Sequence, residues 1–289
     1  MTNQIMCQCQ YCNRTTIAKH AQEHGWARVT LANRGGRAAY LCPDHATRYG
    51  DHGYHQAEQS KKRGTNKAHG FTFGFEMETA RPTAQARVEF VNAGFMPTRD
   101  ATTDCEFVSP IYKSMNPLAK KLQTFEKLMN AGEFRITENE GTHFHVGHVE
   151  HINSETNGYM RRFYHSLFMP LSEAMQANPA ATAALFGRDF TFYACAINSS
   201  TEPGAHNNFV NLQHSKTVEW RLCKFQSAAQ YMNLAHFCRD CTNAVINNFI
   251  LHFNDDVPNP TEYRKHKAAI TAGKMVKLFN KYAAIAASL

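Results

Sequence analysis

The chain has 289 residues and is 43% hydrophobic, 11% aromatic and 19% charged, with a net charge of +7. That apolar content is enough for a real core and excludes a disordered or collagen-like chain. No apolar run approaches the roughly 18–20 residues that span a bilayer, so no membrane partner is expected.

The basic excess sits at one end. Residues 1–70 carry 10 Lys/Arg and 4 Asp/Glu, a net of +6, whereas residues 71–289 carry 21 and 20, a net of +1. Four of the nine cysteines (Cys7, Cys9, Cys12 and Cys42) lie in the basic part. The N-terminal MTNQIMCQCQ is polar and has no apolar signal core. The expectation is a cytoplasmic protein whose cysteines are metal ligands or buried thiols, not a disulfide framework. The composition shift predicts a basic module over 1–55, a polar linker over 56–70 and a larger domain over 71–289.

Within the first module, Cys9-x2-Cys12 and Cys42-x2-His45 form two knuckles that supply four ligands for a tetrahedral zinc ion. Between them, Ala27 to Ala32 and Arg37 to Leu41 read as short strands turned at Gly35-Gly36. A module this small needs a staple, and structural Zn2+ provides one. Cys7, His20 and His24 are substitute ligands. The +6 charge fits contact with nucleic acid, and the absence of a recognition-helix pattern leaves a structural or protein-docking role equally open.

In the larger domain Phe71 to Glu78 alternates strictly and predicts a strand. Pro82 to Ala93 reads as a helix with Thr83 near its start and Gly94 stopping it. Asp104 to Val108 predicts a strand, and Ser114 to Ala131 an amphipathic helix with Leu118, Leu122, Phe125 and Met129 on its buried face. Thr142 to Val149 is a third strand, and Glu155 to Gln176 a helix that Pro170 is expected to break. Asn208 to Gln213 and Thr217 to Leu222 suggest a hairpin, and Ser227 to Phe253 and Thr261 to Ser288 two long helices. Cys238-x2-Cys241 falls inside the first of these and reads as a pair of packing thiols. Without a β-α-β rhythm, the fold class is α+β with an antiparallel sheet.

Three strands share an unusual face. Phe73, Phe75 and Met77 point one way, Glu76 and Glu78 the other. The same alternation sets Phe144 and Val146 against His143 and His145, and Val218 and Trp220 against Glu219 and Arg221. A solvated face usually mixes Lys, Thr, Ser and Gln. Here three strands carry metal-binding and phosphate-binding groups on clean apolar backs. Carboxylates suit Mg2+ or Mn2+, and an arginine fork suits a phosphate. P-loop, GxGxxG, HExxH and GxSxG patterns are all absent.

The order of these motifs resembles the amidoligase family, a branch of the glutamine synthetase-like carboxylate–amine ligases. The resemblance rests on Gly74-Phe75-Glu76-Met77-Glu78, on Asp104 to Pro110, on Gly141-Thr142-His143-Phe144-His145, and on Asn208 to Leu212 followed by Thr217-Val218-Glu219-Trp220-Arg221. It covers roughly residues 71–250. It implies a glutamine synthetase-like antiparallel sheet with packed helices, preceded here by a zinc-ribbon-like module. It implies Glu76, Glu78, Glu219 and His143 or His145 as magnesium ligands and Arg221 as an ATP phosphate ligand. Glu106 adds a carboxylate near the metals or the amine. Lys224 is either a further phosphate ligand or a solvated lysine. The implied reaction joins a carboxylate to an amine with ATP, through an acyl phosphate. The sequence departs from the family in a compressed segment, Asp100 to Cys105, and in Cys223 to Gln226 after Arg221. A second reading is a zinc-dependent nucleic-acid- or protein-binding protein on an inactive ligase scaffold. The combination of modules suits a phage or bacterial protein; the substrates, which range from small metabolites to macromolecules, and the oligomeric state are not legible.

Overall fold

The computed structural model describes residues 6–8, 14–17, 20–21, 23–24, 26–30, 38–43, 71–98, 104–147, 158–192, 194–198, 200–201, 205–213, 217–252 and 260–289. The expectations placed on Cys9, Cys12, His45, the 56–70 linker and the 214–216 turn lie outside these residues.

Four short strands come first: β1 (Met6–Gln8), β2 (Thr15–Ile17), β3 (Ala27–Thr30) and β4 (Ala38–Leu41). They make two antiparallel pairs, β1 with β2 and β3 with β4, the second in the register Ala27↔Leu41 to Thr30↔Ala38. The β3–β4 pair matches the two strands expected there, while the Gly35-Gly36 turn expected between them lies outside the described residues. The β1–β2 pair has no alternating signal in the sequence.

The remaining described chain is mixed helix and sheet. Six strands, β5 (Phe73–Thr79), β6 (Met96–Thr98), β7 (Cys105–Val108), β8 (Thr142–Gly147), β9 (Val210–Asn211) and β10 (Thr217–Trp220), form one antiparallel sheet in the order β6-β7-β5-β8-β10-β9. Six helices accompany it among the described residues: α1 (Ala84–Asn92), α2 (Asn116–Asn130), α3 (Gly158–Ala177), α4 (Pro179–Phe186), α5 (Ala228–His252) and α6 (Pro260–Ala286). Among the described residues no helix is long and apolar enough to cross a membrane.

The chain divides into two compact units. Of the described residues, one takes those before 44 with 76–112 and 127–140, and the other takes 71–75, 113–126 and 141–289. β5 and α2 contribute to both.

In the first unit α1 begins where expected, because the Thr83 hydroxyl accepts from the Ala86 N–H and caps the helix. It ends at Gly94, whose φ of +97° suits glycine. Phe90 on this helix stacks on Phe107 of β7 at 3.9 Å between ring centroids and meets Phe134 edge-on. These contacts tie the helix to the sheet through aromatic surface.

In the second unit the apolar faces of the strands meet α5. Phe75 and Phe144 both pack on Tyr231, and Trp220 packs on Phe237 and on Phe168 of α3. The buried Trp220 ring keeps its polar end satisfied by donating to the Thr242 hydroxyl at 3.2 Å. Cys238 and Cys241 are fully buried on α5, as the packing reading expects. Burial pushes both thiols well above the ordinary thiol range, so they are held neutral.

Three local expectations change. Pro170 does not break α3, which runs through it. α4 follows at once, with Pro179 at its first turn, where the missing N–H is tolerated. On α2 the buried face is Leu118, Leu122, Phe125 and Leu128, with Met129 only half-buried.

The end of α4 grips the segment that follows β10. Gly187 has φ +79°, and its N–H donates to Ala183 O. A Cβ there would stand 2.3 Å from Lys224 O. The Lys224 N–H donates to Phe186 O at 2.7 Å, and Arg188 donates to the carbonyls of Arg221 and Leu222. Gly187→Ala therefore meets both a backbone penalty and a collision. We expect it to lower stability by about 2 kcal/mol or more, read as a lower midpoint in urea denaturation.

Candidate metal centre

The sheet has two faces, and β5, β8 and β10 carry the same division. Their aromatic residues enter the core, while Glu76, Glu78, His143, His145 and Glu219 take the opposite face. That opposite face is not solvated. Glu76 and Glu78 are each 7% exposed, Glu219 2%, His143 6% and His145 2%. A buried carboxylate is stable only when donors or a cation compensate its charge.

Glu219 shows how the compensation is built. The β10 register places it opposite His145 on one side and Asn211 on the other. Asn211 Nδ2 donates to Glu219 Oε2 at 2.6 Å, and Asn211 Oδ1 accepts from the Gln213 N–H, which fixes which way the amide points. Arg221 Nη1 donates to Glu219 Oε1 at 2.6 Å, and His143 Nδ1 lies 3.2 Å from the same oxygen. Arg221 Nη1 also meets His206 Nε2 at 3.3 Å. The arginine therefore links the buried acid to an exposed histidine.

The other acids stand on β5 and β7. The register puts Glu78 directly opposite Glu106 and Glu76 opposite Val108. Like charges facing each other across a strand pair repel. Glu78 is buried and Glu106 half-buried, so water screens the repulsion poorly.

Two three-residue groups have metal-binding geometry. The ligand atoms of Glu76, His145 and Glu219 all lie within 4.8 Å of one another, and so do those of Glu76, Glu106 and His143. Each group offers two carboxylates and one imidazole, and Glu76 belongs to both. The donor chemistry fits a divalent cation with a preference for oxygen, Mg2+ or Mn2+. Both histidines of the His-x-His pair are drawn in, one to each group, where the sequence reading left a choice between them.

The remaining expected residues fall as follows. Glu78 belongs to neither group and faces Glu106. Arg221 stands at the acid face but is engaged with Glu219. Lys224 is half-buried, with its backbone held by α4. Of the residues expected to bind zinc, Cys42 is described and is fully buried just after β4. Asn211 and His206 escaped the sequence reading as members of the site. Asn211 lay within a recognised strand, but its role depends on the register that sets it against Glu219. His206 and Arg188 act through contacts at separations of 15 and 33 residues with Arg221, for which the sequence holds no local signal.

No model of a protein family matches the sequence, and no curated protein matches it. The site is therefore read from its own residues.

The Glu219–Arg221–Asn211 cluster has a measurable consequence. Glu219→Ala leaves a guanidinium and an amide buried without their acceptor and is expected to cost about 3–5 kcal/mol. Glu219→Gln keeps the shape and one acceptor oxygen and should cost less. Urea unfolding of the two variants checks the order; equal losses would mean that the ion pair is not what holds Glu219 in place.

Proposed function

We propose that the protein is an ATP- and Mg2+- or Mn2+-dependent carboxylate–amine ligase of the amidoligase type. The observation that carries this reading is the buried sheet face, on which Glu76 is common to two groups of two carboxylates and one imidazole and Arg221 stands beside Glu219. The motif order set out above supports the same reading. A carboxylate-rich floor with one guanidinium is suited to a nucleotide triphosphate held through divalent cations.

Bound cations would neutralise phosphate charge and orient the γ-phosphoryl group for transfer. The chain's own residues then have separate tasks. Glu76, Glu106, Glu219, His143 and His145 would hold the cations, with Glu76 common to both groups. Arg221 supplies fixed positive charge where phosphate oxygens develop more charge in the transition state. The pairing of Arg221 with Glu219 restricts where that charge can point, and the Arg188 hydrogen bond to the Arg221 carbonyl restricts the backbone beneath it.

In the proposed reaction the substrate carboxylate attacks the γ-phosphorus and ADP departs. The amine then attacks the acyl carbon and phosphate departs, leaving an amide. The amine nitrogen loses a proton on the way. Glu106, half-buried on β7, is the proposed acceptor. Lys224 is a candidate second phosphate ligand. A structural Zn2+ held by Cys9, Cys12, Cys42 and His45 is proposed for the N-terminal module. Its role, in contact with nucleic acid or protein, is separate from the ligase chemistry.

The direct test is calorimetric titration of ATP into the full chain with Mg2+, with Mn2+ and with EDTA, beside Glu76→Ala/Glu78→Ala. We expect saturable binding that needs a divalent cation and weakens by about tenfold or more in the double variant. Well-folded protein that takes up no nucleotide with either cation would sink the ligase reading. Binding that persists unchanged in the double variant would move the nucleotide off this floor.

A further inference from the structure

Among the described residues, Arg81 is the only non-glycine residue with positive φ, at +50°. It follows the last residues of β5, three positions beyond Glu78. A side-chain-bearing residue rarely adopts this conformation. Pro82 comes next and narrows the choices of the residue before it still further. The conformation is held from several sides. The Arg81 N–H donates to Asp104 Oδ2 at 3.0 Å. Ala80 and Arg135 exchange both backbone bonds, at 2.8 and 3.1 Å. The Thr83 N–H donates to Glu133 O at 2.9 Å. The chain has been built to keep an arginine where glycine would sit without strain. Such retained strain points to a use for the side chain.

Two further arginines border this turn, one on α1 and one on the segment that bridges to Ala80. Arg135 is the bridge partner of Ala80, and Arg87 Nε donates to Pro82 O at 3.5 Å. Arg81, Arg87 and Arg135 are all exposed. Among the described residues none of the three guanidiniums takes part in an ion pair. The nearby acids are otherwise engaged. The Asp104 carboxylate accepts the Arg81 backbone N–H, and the Glu133 carboxylate accepts from the Thr83 hydroxyl.

We propose that Arg81, Arg87 and Arg135 form an anion-binding surface at the end of β5, which receives a multiply charged oxyanion, phosphate or carboxylate, with Arg81 held under strain to complete it. Planar guanidinium forks match such oxygens in pairs, and three of them around one turn favour a group with more than one charge. This surface stands apart from the cation-dependent floor and does not require the ligase reading.

The test uses the full chain in EDTA at low ionic strength, so that no cation can bridge an anion to the carboxylates. Inorganic pyrophosphate and tricarballylate are titrated calorimetrically into wild type, Arg87→Ala/Arg135→Ala and Arg81→Gly. We expect at least one probe to bind with Kd below about 1 mM and both variants to weaken it by about tenfold. Pyrophosphate alone identifies a phosphate site, tricarballylate alone a carboxylate site, and binding of both an oxyanion site indifferent to the source. Arg81→Gly is also expected to melt no lower than wild type, because glycine relieves the strain while removing the guanidinium. No binding of either probe, or equal binding in all three proteins, overturns the proposal. So does an Arg81→Gly variant that melts well below wild type, since Arg81 would then be a structural residue. These outcomes are read without ATP or metal, so they are independent of the nucleotide titration.

Discussion

The constraint on which the structure depends is a sheet that is buried on both faces and acidic on one of them. All seven residues of β5 are buried, including Glu76 and Glu78. On the aromatic side the solution is ordinary close packing of Phe75, Phe144 and Trp220 against α5. On the acidic side packing alone does not suffice, because an uncompensated buried carboxylate is costly. Glu219 meets that cost with Asn211, Arg221 and His143. Glu78 stands opposite Glu106 in the register of the β5–β7 pair.

The fold also fixes the segment that carries Arg221. Its own N–H donates to Phe209 O at 2.8 Å, and its carbonyl accepts from Arg188. One position further, Leu222 is held by the same guanidinium, and Lys224 is pinned to Phe186. The close approach at Gly187 lets α4 lie against this backbone. The side chain of Arg221 is thus aimed by a helix end that is more than thirty residues away in sequence. Positioning of this kind matters where charge must be in place before a reacting group arrives.

The period-2 signal made much of this legible in advance. β5, β7, β8 and β10 and the division of their faces follow from alternation in Phe71 to Glu78, Asp104 to Val108, Thr142 to Val149 and Thr217 to Leu222. The long helices follow from apolar spacing and from Thr83 and Gly94. What escaped has physical reasons. β6 is three residues with Pro97 in the middle, which reads as a turn but is tolerated at a sheet edge. α3 passes through Pro170 because tertiary packing overrides a local breaker: Leu167, Phe168 and Leu171 around it are all buried. Asn211 and His206 enter the site only through register and long-range contact. A single sequence can list the ionisable residues of a face, but it cannot say which oxygen each donor reaches.

β5 joins these arguments. Its odd-numbered side chains build the core, its even-numbered acids create a demand for positive charge, and its end is a turn where an arginine is kept in a glycine conformation. Glycine would take the Arg81 conformation without strain. Local rules broken without a structural gain are expected where function imposes them. The acids proposed to hold cations and the arginine proposed to complete an anion surface thus lie along one strand and the turn that ends it, with opposite signs of charge.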